Sequence, residues 1–94
     1  MNNAIVTTTI QKPTEATLKF CKLNDWDLIV VGDLKTPENE YKEINCHYIT
    51  TEDQEVLNKE LSDAIEWNTI QRRNMGFLYA YNEVIVYFIT LYFN

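Results

Sequence analysis

The 94-residue chain is long enough for one domain, and a domain of that size buries roughly 60–65% of its unfolded surface. Apolar residues at 46%, aromatic residues at 13% and charged residues at 23% exclude a disordered, collagen-like or low-complexity chain. The net charge of −6 opposes unspecific attraction to phosphate backbones and anionic lipid, which excludes a basic nucleic-acid module.

The first predicted element is a strand over Ala4-Ile5-Val6-Thr7-Thr8-Thr9, which is short, β-branched and uncharged. Lys12-Pro13-Thr14-Glu15 then opens a helix, because proline suits the first turn and Glu15 complements the helix dipole. Ala16, Phe20 and Leu23 lie on one face of that helix, which is expected to end near Asn24. Asp27 to Val31 followed by Gly32-Asp33 is an apolar run closed by a turn signal, the pattern of a strand buried on both faces of a parallel sheet. Together these elements make a βαβ unit. Thr36-Pro37-Glu38-Asn39 reads as a turn, and Ile44 to Thr50 as a short third strand. Thr51-Glu52-Asp53-Gln54 has the capping-box pattern, and Leu57, Leu61 and Ala64 continue an apolar stripe behind it. The acidic excess from Glu38 to Glu66 reads as a solvated face. Trp67-Asn68 interrupts the pattern; Ile70, Asn74, Phe77, Leu78 and Tyr81 resume helical spacing up to about Asn82. Val84 to Phe93 reads as a last, wholly uncharged strand. The order β-α-β-β-α-α-β predicts an α/β fold with a three-layer, open and mainly parallel sheet, in a single domain over residues 1–94.

Two cysteines, Cys21 and Cys46, make neither a disulfide framework nor a zinc motif. Met1-Asn2-Asn3 lacks the basic and apolar regions of a signal peptide, and Val84 to Phe93 is about half the ~20 residues of a membrane helix. No membrane segment is expected, and a soluble protein of the reducing cytoplasm is the default.

Four groups of residues invite a chemical reading. Cys46 and His47 are neighbours on a predicted strand, so their side chains point to opposite faces and cannot form a nucleophile–base pair locally. Gly32-Asp33-Leu34-Lys35-Thr36-Pro37 follows a buried strand, at the end where open α/β sheets bind ligands. It is either an ordinary turn or one in which Asp33 accepts from a base or ribose and Lys35 reaches a phosphate. Gln71-Arg72-Arg73-Asn74-Met75-Gly76 is a basic cluster in an acidic chain. The two arginines either hold phosphate oxygens or neutralise nearby carboxylates, and Gly76 allows the helix to pack against a ligand or a strand. Tyr79, Tyr81, Tyr87 and Tyr92 have almost no positive charge around them, which favours core packing over base stacking.

Trp26-Asp27-Leu28-Ile29-Val30-Val31-Gly32-Asp33-Leu34-Lys35-Thr36-Pro37 and Arg72-Arg73-Asn74-Met75-Gly76-Phe77-Leu78-Tyr79-Ala80, behind an early Thr-Thr-Thr strand end, resemble GT-A-fold nucleotide-sugar glycosyltransferases, most closely the STELLO-like proteins. The resemblance spans roughly residues 4–82 and implies the nucleotide-binding half of such a domain, with strand order 3-2-1-4. It implies that Thr8 and Asp33 cradle the base and ribose, with Lys35 in the same loop. Arg73, Asn74 and Gly76, with Arg72 adjacent, would lie beside the nucleotide and its diphosphate. A UDP-sugar or another nucleotide diphosphate-sugar is the implied ligand. An intact member of the family would also carry a D-x-D-type acidic cluster holding Mn or Mg, because hard divalent cations need carboxylate oxygens. Asn82-Glu83 instead runs straight into the last strand, and no aspartate follows Asp63. The expectation is therefore a truncated or frame-disrupted, glycosyltransferase-like chain with no metal ligands and no turnover alone, catalytic only if another chain supplies the acids. The competing expectation is a small α/β interaction protein that forms a homodimer through its C-terminal strand.

Overall fold

The structure, a computed structural model, describes residues 3–83 and 87–92. The elements follow as β1 (Asn3–Thr8), α1 (Glu15–Phe20), β2 (Asp27–Val31), α2 (Glu38–Lys42), β3 (His47–Ile49), α3 (Thr51–Ala64), a 3-10 turn (Ile70–Arg72), α4 (Arg73–Asn82) and β4 (Tyr87–Tyr92). The strands form one sheet in the order β3-β2-β1-β4, and every neighbouring pair is parallel. The predicted α/β class, parallel pairing and strand order are those observed. Of the predicted last strand, Val84, Ile85, Val86 and Phe93 lie outside the described residues.

Because side chains alternate along a strand, β1 and β2 supply both cores. Ala4, Val6, Ile29 and Val31 are buried together with Met75 and Ala80 of α4, and Leu57 and Leu61 of α3 pack against them. Ile5, Leu28 and Val30 are buried with Tyr41 of α2, and Phe20, Cys21, Trp26 and Tyr48 pack around that group. Tyr41 and Tyr48 stack with ring centroids 5.7 Å apart. Helices thus cover both faces of the central strands, which is why their sequences carry no polar alternation.

Local departures from the sequence expectation have physical causes. The cap of α1 is Thr14, whose hydroxyl accepts from the Thr17 amide at 3.2 Å while Thr17 returns a bond to the Thr14 amide. This sets Thr17 rather than Ala16 on the inward face, and the helix ends at Phe20, leaving Leu23 45% exposed. The capping box before α3 is Thr50 with Asp53, one residue earlier than predicted. Thr50 still has the extended backbone that a cap requires, whereas Thr51 is already helical. The predicted turn at Glu38 is a short helix, and β3 is confined to three residues. Ala64 is exposed, and the inward stripe of α3 runs instead through Gln54, Leu57, Leu61 and Ser62.

In α4 the inward face is Met75, Gly76 and Ala80, while Tyr81, expected in the core, is 78% exposed. Small residues decide this. A Cβ on Gly76 would stand 2.5 Å from Val6 Cγ1 and 2.8 Å from Val31 Cγ2, so the helix backbone rests directly on the sheet. Tyr79 packs against the core beneath, and the side chains of Tyr87 and Tyr92 lie outside the described residues.

Two outcomes follow from this packing. Gly76→Ala should lower stability by about 1–3 kcal/mol in thermal or urea unfolding, since overpacking outweighs the ~1 kcal/mol gain in helix propensity. An unchanged or raised midpoint would show that α4 stands off the sheet. Burial pushes the Tyr41 and Tyr48 hydroxyls up to about 12. The folded state therefore keeps protons that the unfolded chain releases near pH ~10, so stability falls as pH rises from about 10 towards 12. Urea midpoints across that range, with phenolate absorbance followed in parallel, provide the check.

Candidate functional site

In a parallel sheet all strands end on one edge, and α4 runs antiparallel to them. At its start, Arg72 is linked through Gln54 to the Gly32 carbonyl just beyond β2; near its end, the Tyr79 hydroxyl is 3.4 Å from Nδ1 of His47, the first residue of β3. The carboxyl ends of β1 and β2 and the first turn of α4 therefore meet at one edge. Thr8, Asp33, Lys35, Arg72, Arg73 and Asn74 all belong to segments at that edge.

Four of the seven residues singled out in the sequence are buried and tied to protein partners. The Thr8 hydroxyl donates to the Val31 carbonyl at 2.9 Å. Asp33 is 5% exposed, and its carboxylate accepts from the Leu34 amide at 2.7 Å and from the Asn68 amide at 2.8 Å to each oxygen. Gly76 faces Val6 and Val31, so of its two expected neighbours, ligand or strand, it meets the strand. Arg72 is fully buried, and its five N–H groups all have acceptors. Nε donates to Gln54 Oε1 at 3.0 Å, Nη1 to the Ser62 and Ile65 carbonyls at 2.8 and 2.9 Å, and Nη2 to Ser62 Oγ at 2.8 Å and to Gln54 Oε1. The guanidinium also lies 3.7 Å from the centre of the Trp67 ring. No carboxylate is bonded to it; burial pushes its pKa down, with Asp33 and Glu55 acting in the opposite direction. Arg72 thus has no N–H left for a phosphate and acts as a support.

The remaining three present polar groups outward. Lys35 is exposed and, like half-buried Arg73, has no ion pair among the described residues. The Asn74 amide touches Gln71 Oε1 at 3.2 Å. Around them the loops are cross-linked. The Thr36 hydroxyl accepts from the Asp33 amide at 2.8 Å and donates to the Thr9 carbonyl at 2.6 Å, joining the loop after β2 to the loop after β1. The Thr9 hydroxyl accepts from the Gln11 amide at 3.0 Å.

Gln54, Thr36, Thr9 and Asn68 were not singled out from the sequence. Gln54 carried a readable signal: it is a polar residue at the head of the Gln54-Leu57-Leu61 stripe, where a buried amide needs partners. Its Nε2 donates to the Gly32 carbonyl at 2.8 Å and the Thr50 carbonyl at 3.1 Å, while Oε1 receives Arg72. Asn68 has φ of 61°, a left-handed conformation that asparagine tolerates better than most residues. Cys46 and His47 occupy opposite faces, Cys46 on the α1–α2 side and His47 by Tyr79 of α4. Burial pushes the Cys46 thiol up to about 11, so it is a poor nucleophile.

Among the described residues no group of three or more His, Cys, Asp and Glu side chains could hold a metal ion, and no helix is long and apolar enough to cross a membrane. No protein-family model matches the chain, and no curated protein sequence does.

The Arg72 node generates a stability prediction. Arg72→Ala should destabilise the fold by about 3 kcal/mol or more, because it strands the buried Gln54 and Ser62 acceptors. Arg72→Ala with Gln54→Leu should cost less than the sum of the two single changes, with a coupling of about 1–3 kcal/mol. Additive losses in urea unfolding would refute a shared node.

Proposed function

We propose that this chain binds a nucleoside diphosphate, the donor portion of a nucleotide-sugar, at the carboxyl edge of its sheet. One observation supports the reading: Lys35, Arg73 and Asn74, none of them buried, belong to segments at the end of the sheet where the loops after β1 and β2 are tied together. Lys35 and Arg73 would hold the diphosphate, and the loops after β1 and β2 would cradle the base and ribose. Asp33 and Arg72 shape this edge from beneath. Parallel strands in the order β3-β2-β1-β4 with helices on both faces support a three-layer, GT-A-like half-domain.

A second reading has its own observation. β4 stands at the end of the sheet order beyond β1, which leaves it an outer edge through which two copies could pair in a small α/β interaction protein.

Titration of the isotopically labelled chain with UDP should give saturable amide shifts at Lys35, Leu34 and Arg73. Lys35→Ala and Arg73→Ala should each weaken binding by roughly 3–10-fold without lowering the unfolding midpoint. Absence of any shift at millimolar UDP would overturn the proposal. Coupled with a dimer in light scattering, it would move the second reading ahead.

A further inference from the structure

A cavity of about 480 Å³ opens beside β3, lined by none of the residues assigned above to the nucleotide. Its lining includes His47, Ile49, Asp53, Val56, Leu57 and Tyr79. β3 is the end strand, with β2 its neighbour, so its outer side meets no further strand among the described residues. Ile49 and Leu57 give the cavity an apolar lining, and Val56, 87% exposed, extends it towards solvent.

The surrounding charge is negative. Burial pushes the Tyr79 hydroxyl up, and the charges of Glu83, Asp27 and Asp53 push in the same direction; Asp53 lines the cavity just beyond the carboxyl end of β3, and Asp27 lies by His47 at its start. Asp53 has one oxygen engaged by the Thr50 amide at 3.1 Å. Asp27 lies 3.5 Å from His47 Nε2. Lys42, within reach of the Glu52 and Asp53 charges, is already held by Glu38 at 2.8 Å. An apolar floor with an acidic rim suits a side chain that has an aliphatic stem and a cationic head. A second copy of this chain, carrying the same net charge of −6, is a poor match for such a rim.

We propose that this groove is a docking site for an extended segment of a partner protein that carries lysine or arginine beside apolar residues. The segment lies along the free edge of β3, its apolar side chains and the basic stems on Val56 and Leu57, one cationic head by Asp53 and another by Asp27. The site is independent of the nucleotide edge and stands whether or not that edge binds UDP.

The test is amide-shift titration of the full chain with a six-residue peptide alternating valine and lysine. Saturable shifts at His47, Tyr48, Ile49 and Val56, weakening as salt is raised, are expected. A peptide with glutamate in place of lysine should produce none. Val56→Lys should weaken binding by about tenfold and Asp53→Asn by about threefold, with unfolding midpoints confirming that both variants fold. No saturation at millimolar peptide, an equal response to the glutamate peptide, or unchanged affinity in both folded variants would overturn the proposal. So would an equal affinity for hexylammonium, which would assign the groove to a small amine.

Discussion

A buried guanidinium fully satisfied by neutral acceptors holds the far end of this fold together. Arg72 donates to Gln54, Ser62 and the Ile65 carbonyl, and Gln54 in turn donates to the Gly32 carbonyl. The chain therefore closes from the start of α4, through the end of α3, to the end of β2. The cost of removing a cation from water is offset by five hydrogen bonds and by the face of Trp67. The acceptors are themselves a structural consequence. α3 breaks its helical path at Asn58, whose side-chain oxygen accepts from the Leu61 amide at 2.9 Å. The turn restarted after this break ends with the Ser62 carbonyl, which also accepts from the Ile65 amide at 3.3 Å, and the Ile65 carbonyl beyond it, and a cation suits that end of the helix dipole.

This node fixes the edge where ligands of parallel α/β sheets bind. With α3 and α4 anchored, the link between them passes Asn68 under the Asp33 carboxylate, and Thr36 ties the loop after β2 to Thr9. Most polar groups there are already paired within the protein. Lys35 and Arg73, which make no ion pair among the described residues, extend from this cross-linked frame, and in the proposed role such a frame would reduce the ordering cost of holding an anion. The same connectivity explains why two adjacent arginines play different parts. Arg72 closes the 3-10 turn and faces inward, while Arg73 opens α4 and stays partly exposed.

Much of the architecture was legible in the residues. The unbroken apolar run of β2, the capping pattern ahead of α3 (read one residue late) and the Trp67-Asn68 interruption marked the order of elements and the α/β class, because each reflects a local preference. The candidate edge was legible only as a set of residue types. Glycine, aspartate, lysine and arginine near strand and helix ends suit a phosphate site and a hydrogen-bonded support equally well. Which role each took depended on partners 7 to 35 residues away, such as Ser62 and Ile65 for Arg72 or Asn68 for Asp33. The inward face of α4 was misassigned for a related reason. Hydrophobicity pointed to Tyr81, but close approach to the sheet required Gly76 and Ala80.

The sequence by itself determined the strands, most of the helices, their parallel arrangement and the acidic character of the chain, since these arise from backbone preference, hydrophobic pattern and composition. Only the tertiary structure decided that Arg72, Asp33, Thr8 and Gly76 turn inward and that Lys35, Arg73 and Asn74 keep polar groups at the edge. It also decided that the outer side of β3 carries an apolar groove with an acidic rim. The physical reason is the same in each case. Burial and hydrogen-bond satisfaction belong to pairs of groups brought together by the fold, and a linear spacing rule sees only one member of each pair.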